Sequence, residues 1–285
     1  MSNKERLKAR AIRGLQLDPI LVTRVLEGFI RDEIRKFGIN RAVVALSGGI
    51  DSALSCTLAV RALGGDGVLA VLMPYRTSNP SSRGDAEKLV SQLSIPSVLI
   101  DISSAVDGIT DQLDDKPSDL RRGNVMARTR MTALYDQSES FGGLVVGTSN
   151  KTELLLGYGT QHGDMASAVN PIGDLYKTQV RALSEALDVP TAILKKIPSA
   201  DLWEGQSDED ELGFGYELAD QVLYLLVDEQ FRADELINDG HDSAMVHNVL
   251  QRVEQSQFKR RLPVIAKLSH RTIDRDFRYP RDWGR

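Results

Sequence analysis

The chain has 285 residues, 41% hydrophobic and 26% charged, with a formal net charge of −5. That is an ordinary globular composition, long enough to bury a sizeable core in one large domain or two small ones. The acidic balance argues against a nucleic-acid partner, the single cysteine (Cys56) excludes an intrachain disulfide and a Cys-pair metal site, and no apolar run is long enough to span a membrane.

The N-terminal stretch MSNKERLKARAIRGL is charged and lacks the apolar centre of a signal peptide, which points to the cytoplasm. Charge is uneven along the chain. Residues 259–285 carry nine Lys/Arg against three Asp/Glu. Such a basic tail can meet an anionic small molecule, an acidic patch on a second subunit, or only solvent.

Residues 4–37 read as helix, with Leu15, Leu17, Ile20, Leu21, Val25 and Ile30 at helical spacing. Residues 42–46 (AVVAL) form a short apolar run that suits a buried strand. Residues 52–63 return to helix, and 68–73 (VLAVLM) form a second strand stopped by Pro74. A helix follows at 82–93, where Ser82 and Asp85 are spaced as a capping box. Residues 98–102 predict a third strand, and 144–147, after a long helical stretch, a fourth. Beyond Lys177 the pattern predicts helices at about 178–187, 216–229 and 242–257, with an acidic loop rich in Pro and Gly between the first two.

Strands alternating with helices imply an α/β, Rossmann-like fold: a parallel sheet with helices on both faces, plus extra helices at each end. The expected organisation is one domain, with a helical segment to about 39, a nucleotide-binding core at about 40–190 and a helical part at about 191–285. Ligands in such sheets bind at the carboxyl ends of the strands. The informative loops are therefore those after Leu46, Met73 and Gly147.

The first of these loops, Ala45-Leu46-Ser47-Gly48-Gly49-Ile50-Asp51-Ser52, carries the sharpest signal. Two glycines let the backbone turn tightly and approach an anion. Free N–H groups at the following helix start favour phosphate, and Ser47 and Ser52 add hydroxyl donors. Asp51 alone would repel a phosphate; a metal ion bridging the two removes the conflict. The spacing is not that of a Walker A loop.

SGGIDS resembles the pyrophosphatase loop of the N-type ATP pyrophosphatases, enzymes with an adenine nucleotide alpha-hydrolase-like fold. The resemblance implies that ATP is split to AMP and pyrophosphate, with AMP placed on a substrate oxygen. Later segments resemble the NAD synthetase branch. They are GNVMARTRM from Gly123, GTSNKTE from Gly147, GYGTQHGD from Gly157 with NPIGDLYKTQV from Asn170, PSADLW from Pro198, and Phe258-Lys259-Arg260. The likeness runs from about Asn40 to Lys259. It implies Mg2+ on Asp51 and Glu153, ATP contacts from the 45–52 loop, Thr148, Lys177 and Ser199, and deamido-NAD contacts from Arg128 and Lys259. Asp51, Glu153 and Lys177 are the catalytic candidates, and the segment after Pro198 resembles a mobile cover. Family members are dimers that bind substrate near the subunit interface. Gln161 and Ala168 depart from the ammonia-using pattern, so those two contacts are not carried over; the wording there is closer to glutamine-using members.

Arg128 shares a helix face with Asn124 and can offer a planar fork to an anion. His162 reads as a loop hydrogen-bonder and Asp164 as a weak candidate base. Cys56 is spaced with the apolar Ala53 and Val60, which suits a core position better than a nucleophile. About forty residues precede the synthetase-like core, too few for an amidohydrolase domain. Ammonia is thus the expected nitrogen donor, free or supplied by a separate glutaminase. The competing readings are another ATP-pyrophosphatase ligase (GMP-forming or tRNA-modifying) and a nucleotide sensor without catalysis.

Overall fold

The computed structural model describes residues 3–36, 38–199, 201–203 and 205–273. Two helices replace the single one expected at the start: α1 (Asn3–Gly14) and α2 (Pro19–Arg35). The break has a local cause. Asp18 caps α2 by accepting from the N–H groups of Ile20 (2.9 Å) and Leu21 (3.1 Å), and Pro19 occupies the first helical turn. The helical spacing from Leu15 to Ile30 therefore joined two different helices. Ile30 is buried, whereas Ile20, Leu21 and Val25 are exposed. Phe37 lies outside the described residues.

The chain then enters the sheet through β1 (Ala42–Ala45), α3 (Ile50–Leu63), β2 (Val68–Leu72), α4 (Pro80–Leu93) and β3 (Ser97–Leu99). Next come α5 (Ser103–Thr110), α6 (Asp119–Phe141), β4 (Leu144–Val146) and α7 (Lys151–Leu156). β3 is shorter than its apolar run because it lies at the sheet edge, with Ser97 and Leu99 facing solvent. The cap of α4 is also not the expected one. Asn79 accepts from Ser81 N–H, Pro80 follows it, and Ser82 and Asp85 are buried inside the helix.

All four strands are parallel, in the order β3-β2-β1-β4. β1 to β3 add in one direction and β4 adds on the other side of β1, so the strand order reverses between β1 and β4. Crevices at such reversals are where open α/β sheets bind ligands. Alternation along β1 builds the two faces. Ala42 and Val44 pack with Leu58 of α3 and Leu89 of α4, while Val43 packs with Val106 of α5 and Met126 of α6.

The rest of the chain supplies α8 (Lys177–Ala186), α9 (Thr191–Leu194), α10 (Asp208–Leu212), α11 (Tyr216–Leu223), α12 (Ala233–Asn238) and α13 (Ser243–Gln255). The helix expected over 216–229 ends early and widens into a π-helical turn at Tyr224–Asp228. There the Tyr224 ring lies against Gly14, so closely that a Cβ at Gly14 would sit 2.1 Å from its Cζ. A third apolar cluster joins Leu7 and Ala11 of α1 to Leu223 of α11, Leu236 of α12 and Val249 of α13. In the described part of the basic tail, residues 259–273, Lys259 and Arg260 are half-buried and most of the rest is exposed; the remainder lies outside the described residues. No described helix is long and apolar enough to cross a membrane.

Cys56 lies in the core on α3, and burial pushes its thiol up to about 12. A thiol so placed is neutral and sealed from reagents. Alkylation by iodoacetamide at pH 8 is expected to fail in the folded protein and to reach one thiol per chain in urea. Mass spectrometry reads the difference, and native-state labelling would place Cys56 at the surface.

Candidate active site

The strand reversal brings two loops together. The first runs from β1 into α3, and the second from β4 into α7. Gly48 makes the first turn possible. Its φ of +79° is left-handed, and a Cβ there would lie 2.0 Å from the carbonyl oxygen of Ser82. The loop therefore lies directly against α4. Ser52 tightens it further: its hydroxyl donates to Gly49 O (3.0 Å) and lies 3.1 Å from Ser47 Oγ, while Ser47 N–H donates to Ser52 Oγ (3.2 Å). Asp51 follows in the first turn of α3, beside the positive end of the helix.

In the second loop Asn150 caps α7, accepting from Glu153 N–H (2.9 Å), while Glu153 Oε2 accepts from Asn150 N–H (3.3 Å). The Asn150 amide also donates to Asp51 Oδ1 (2.8 Å). One fully buried side chain thus fixes both acids relative to each other.

Lys177 opens α8 and completes the cluster. Its Nζ donates to Asp51 Oδ2 at 2.5 Å and to Glu153 Oε1 at 2.9 Å, and it lies 5.1 Å from the centroid of the Tyr216 ring. Burial alone would lower the Lys177 pKa, but the two carboxylates outweigh it and hold the ammonium charged. For Glu153 burial raises the pKa, Lys177 pulls it down, Asp51 and Asp208 push it up again, and the net direction is upward. One cation shared by two acids leaves the site short of positive charge.

α11 holds Lys177 from behind. Its Asp220, fully buried, accepts from Thr152 Oγ1 (2.6 Å) and from Thr178 N–H (2.8 Å). Thr152 in turn accepts from the Lys177 backbone N–H (2.9 Å). These residues gave no signal in the sequence, because a lone Asp and a lone Thr on separate helices share no pattern. Asn150 did leave a trace, since Asn-x-x-Glu is the spacing of a capping box.

A cleft of about 1990 Å³ opens over the cluster. Ligand pockets usually run to about 300–1,000 Å³, so this one has room for two sizeable ligands. From Ala45 to Ser52 every residue but Gly48 lines it, as do Thr148, Glu153, Lys177, Ser199 and Lys259. Lys259 Nζ spends two of its three donors on the carbonyls of Gly157 and Gly159, both at 2.8 Å. Arg128 is exposed outside the cleft lining, with Nε 3.4 Å from Gln161 O. On the same helix Arg130 faces the cleft, donating to Met73 O (3.0 Å), and sequence reading passed it over. Asp164 lines the cleft and accepts from Thr160 N–H (2.8 Å). His162 is exposed in a left-handed turn, φ +59°. Gln161 lies beside Arg128, and Ala168 is exposed with its N–H on Val145 O (3.0 Å). In the expected cover Ala200 and Glu204 lie outside the described residues; Ser199 is exposed and accepts from Asp201 N–H (3.1 Å).

A family model described as NAD synthase matches residues 22–263. A curated relative from Trichlorobacter lovleyi, named NH(3)-dependent NAD(+) synthetase, is 56% identical over 95% of this chain and 99% of its own length. Among solved structures, an NH3-dependent NAD synthetase from Campylobacter jejuni superposes with a TM-score of 0.76 at 35% identity, covering 88% of this chain and 100% of that one. An NMN synthetase from Francisella tularensis superposes at 0.78 with 31% identity, covering 89% and 100%.

The contact between Gly48 and Ser82 makes the β1–α3 loop intolerant of a side chain. Gly48→Ala is expected to cost about 2 kcal/mol of stability from backbone strain and to weaken ATP binding at least about tenfold by displacing the loop. Thermal unfolding and titration calorimetry measure the two effects. Unaltered ATP affinity would separate the loop from the nucleotide.

Proposed function

The chain belongs to the NAD synthase family, and from that premise and the cleft geometry we infer that it joins ammonia to the nicotinate carboxylate of deamido-NAD, using ATP and releasing AMP and pyrophosphate. The observation that carries this reading is the meeting of Asp51, Glu153 and Lys177 at the mouth of the phosphate loop. The carboxylate oxygen attacks the α-phosphorus of ATP, and the bond from that phosphorus to the bridging oxygen breaks. Pyrophosphate leaves with the negative charge. Ammonia then attacks the acyl carbon, AMP departs, and the new amide loses a proton.

Each residue has a task in these steps. Backbone N–H groups and hydroxyls from Ser47 to Ser52 grip the departing phosphates, with Ala45 and Leu46 bordering the nucleotide. Lys177 stabilises the charge that develops on pyrophosphate, and Thr148 and Ser199 orient ATP. Lys259, which lines the cleft, holds the dinucleotide with its third donor, and Arg128, exposed outside that lining, is assigned to the dinucleotide by the family resemblance alone. Asp51 and Glu153 are the residues that would hold Mg2+. Two hard oxygen donors converging on one cationic atom suit that ion, and the shortage of positive charge favours it. When bound, the ion screens the acids from the triphosphate.

The protein acts as a homodimer in the cytoplasm. Apolar side chains exposed on α2 (Ile20, Leu21, Val25) and in the tail (Leu262, Val264, Leu268) support a second subunit. Ammonia is the donor, taken free from solution or supplied by a separate glutaminase.

Purified protein with deamido-NAD, ATP, Mg2+ and ammonium is expected to form NAD and AMP in equal amounts, and glutamine free of ammonia is expected to give none. The likeness to an NMN synthetase makes nicotinate mononucleotide the necessary competitor. A higher kcat/KM for the mononucleotide would change the substrate assignment. Asp51→Asn should lower pyrophosphate release at least about 100-fold, since it removes a charge from the reacting centre, with the circular dichroism unchanged. Turnover near that of the wild type would refute the role of Asp51.

A further inference from the structure

Asp208 is 4% exposed although it stands in an acidic run that reads as a solvated loop. Its two oxygens accept from two phenols, Tyr158 Oη and Tyr216 Oη, each at 2.9 Å. Burying a carboxylate costs several kcal/mol unless strong partners compensate. Neutral phenols compensate less well than a cation would. Burial and the neighbouring Asp208 raise the pKa of both tyrosines, so each hydroxyl keeps its proton and donates. A fold in need of packing alone would put an apolar residue here. The position of Asp208 is explained by what its two partners touch.

The Tyr216 ring faces the Lys177 ammonium at 5.1 Å. Tyr158 lies between Gly157 and Gly159, the two residues whose carbonyls receive Lys259. The backbone N–H of Asp208 donates to Pro198 O at 3.1 Å, which closes the base of the segment running over the cleft. That segment reaches the far wall, where the Asp201 carboxylate accepts from Asn79 N–H at 3.0 and 3.1 Å and Leu202 packs on Gly123. One residue therefore joins, by its backbone N–H, the base of the cover and, by its carboxylate, the ring over Lys177 and the glycine turn that receives Lys259.

We propose that Asp208 is a positioning residue for the ligase reaction, acting through Tyr216 on Lys177 and through Tyr158 on the Gly157–Gly159 turn that seats the deamido substrate. This rests on the function proposed above. Removing either phenolic oxygen should then reproduce one part of the Asp208 defect: Tyr216 governs the chemical step and Tyr158 governs substrate seating.

Steady-state kinetics on the full chain test the proposal with Asp208→Asn, Tyr216→Phe, Tyr158→Phe and the double variant Asp208→Asn/Tyr216→Phe. Asn keeps the volume but leaves one phenol without an acceptor. Asp208→Asn should lower kcat at least about tenfold and raise KM for deamido-NAD at least about fivefold. Tyr216→Phe should show mainly the loss of kcat, and Tyr158→Phe mainly the rise in KM. The kcat of the double variant should fall within about twofold of that of Asp208→Asn, because residues acting through one contact are not additive. Melting temperatures are recorded in parallel. A lowered melting temperature with unchanged kcat and KM overturns the proposal, and so do fully additive losses in the double variant. If Asp208→Asn does not fold, the two Phe variants decide the matter through the split between kcat and KM. A wild-type protein inactive with deamido-NAD would instead refute the function proposed above.

Discussion

The ammonium of Lys177, held between the carboxylates of Asp51 and Glu153, is the interaction around which the molecule is arranged. The three groups come from the first turns of three different helices, α3, α7 and α8. Like-charged acids cannot share so small a space without a cation, and a buried lysine cannot stay charged without acids. Each acid is held there by the lysine, and the lysine by the two acids. Removing Lys177 would leave two acids facing each other in the cleft with no cation between them, which is costlier than removing the whole set.

The sheet delivers two of the three. Because the strand order reverses between β1 and β4, the helices that follow those strands start side by side at one edge of the crevice. Asn150 then sets the spacing by touching both acids. The third group depends on helices outside the sheet. Asp220 and Thr152 hold the start of α8, and Tyr216 lies against the lysine. The nucleotide-binding sheet and the C-terminal helices thus contribute unequal but necessary parts of one site.

How much of this was legible in the sequence follows from how local each signal is. The glycine turn and its acid lie within a few residues, between an apolar run and a helical pattern, so the strand-turn-helix unit could be read directly. Lys177 and Glu153 are distant from it and were reached through resemblance. The break at Asp18-Pro19 left a clear local mark, but a periodic pattern was extended across it. Asn79-Pro80 was likewise overlooked in favour of a capping pair one turn later, whose members turned out to be buried. Asp208 was the least legible. Four neighbouring acids look alike in sequence, and only the two tyrosines, one of them fifty residues away, distinguish the one that turns inward.

Lys259 and Arg260 reach back about a hundred residues to the end of α7. Lys259 binds the carbonyls of the glycine turn, and Arg260 binds those of Leu154 and Leu155. At the other end of the chain, α1 finds its partners among α11, α12 and α13. During synthesis on a ribosome the first helix must therefore wait for the last ones. A nascent chain can complete its sheet and the β1–α3 loop while the turn at Gly157–Gly159 is still missing its clasp. The order of emergence lets the sheet and the β1–α3 loop form early, and leaves the contacts of Lys259 and Arg260 until sequence near residue 260 has cleared the exit tunnel.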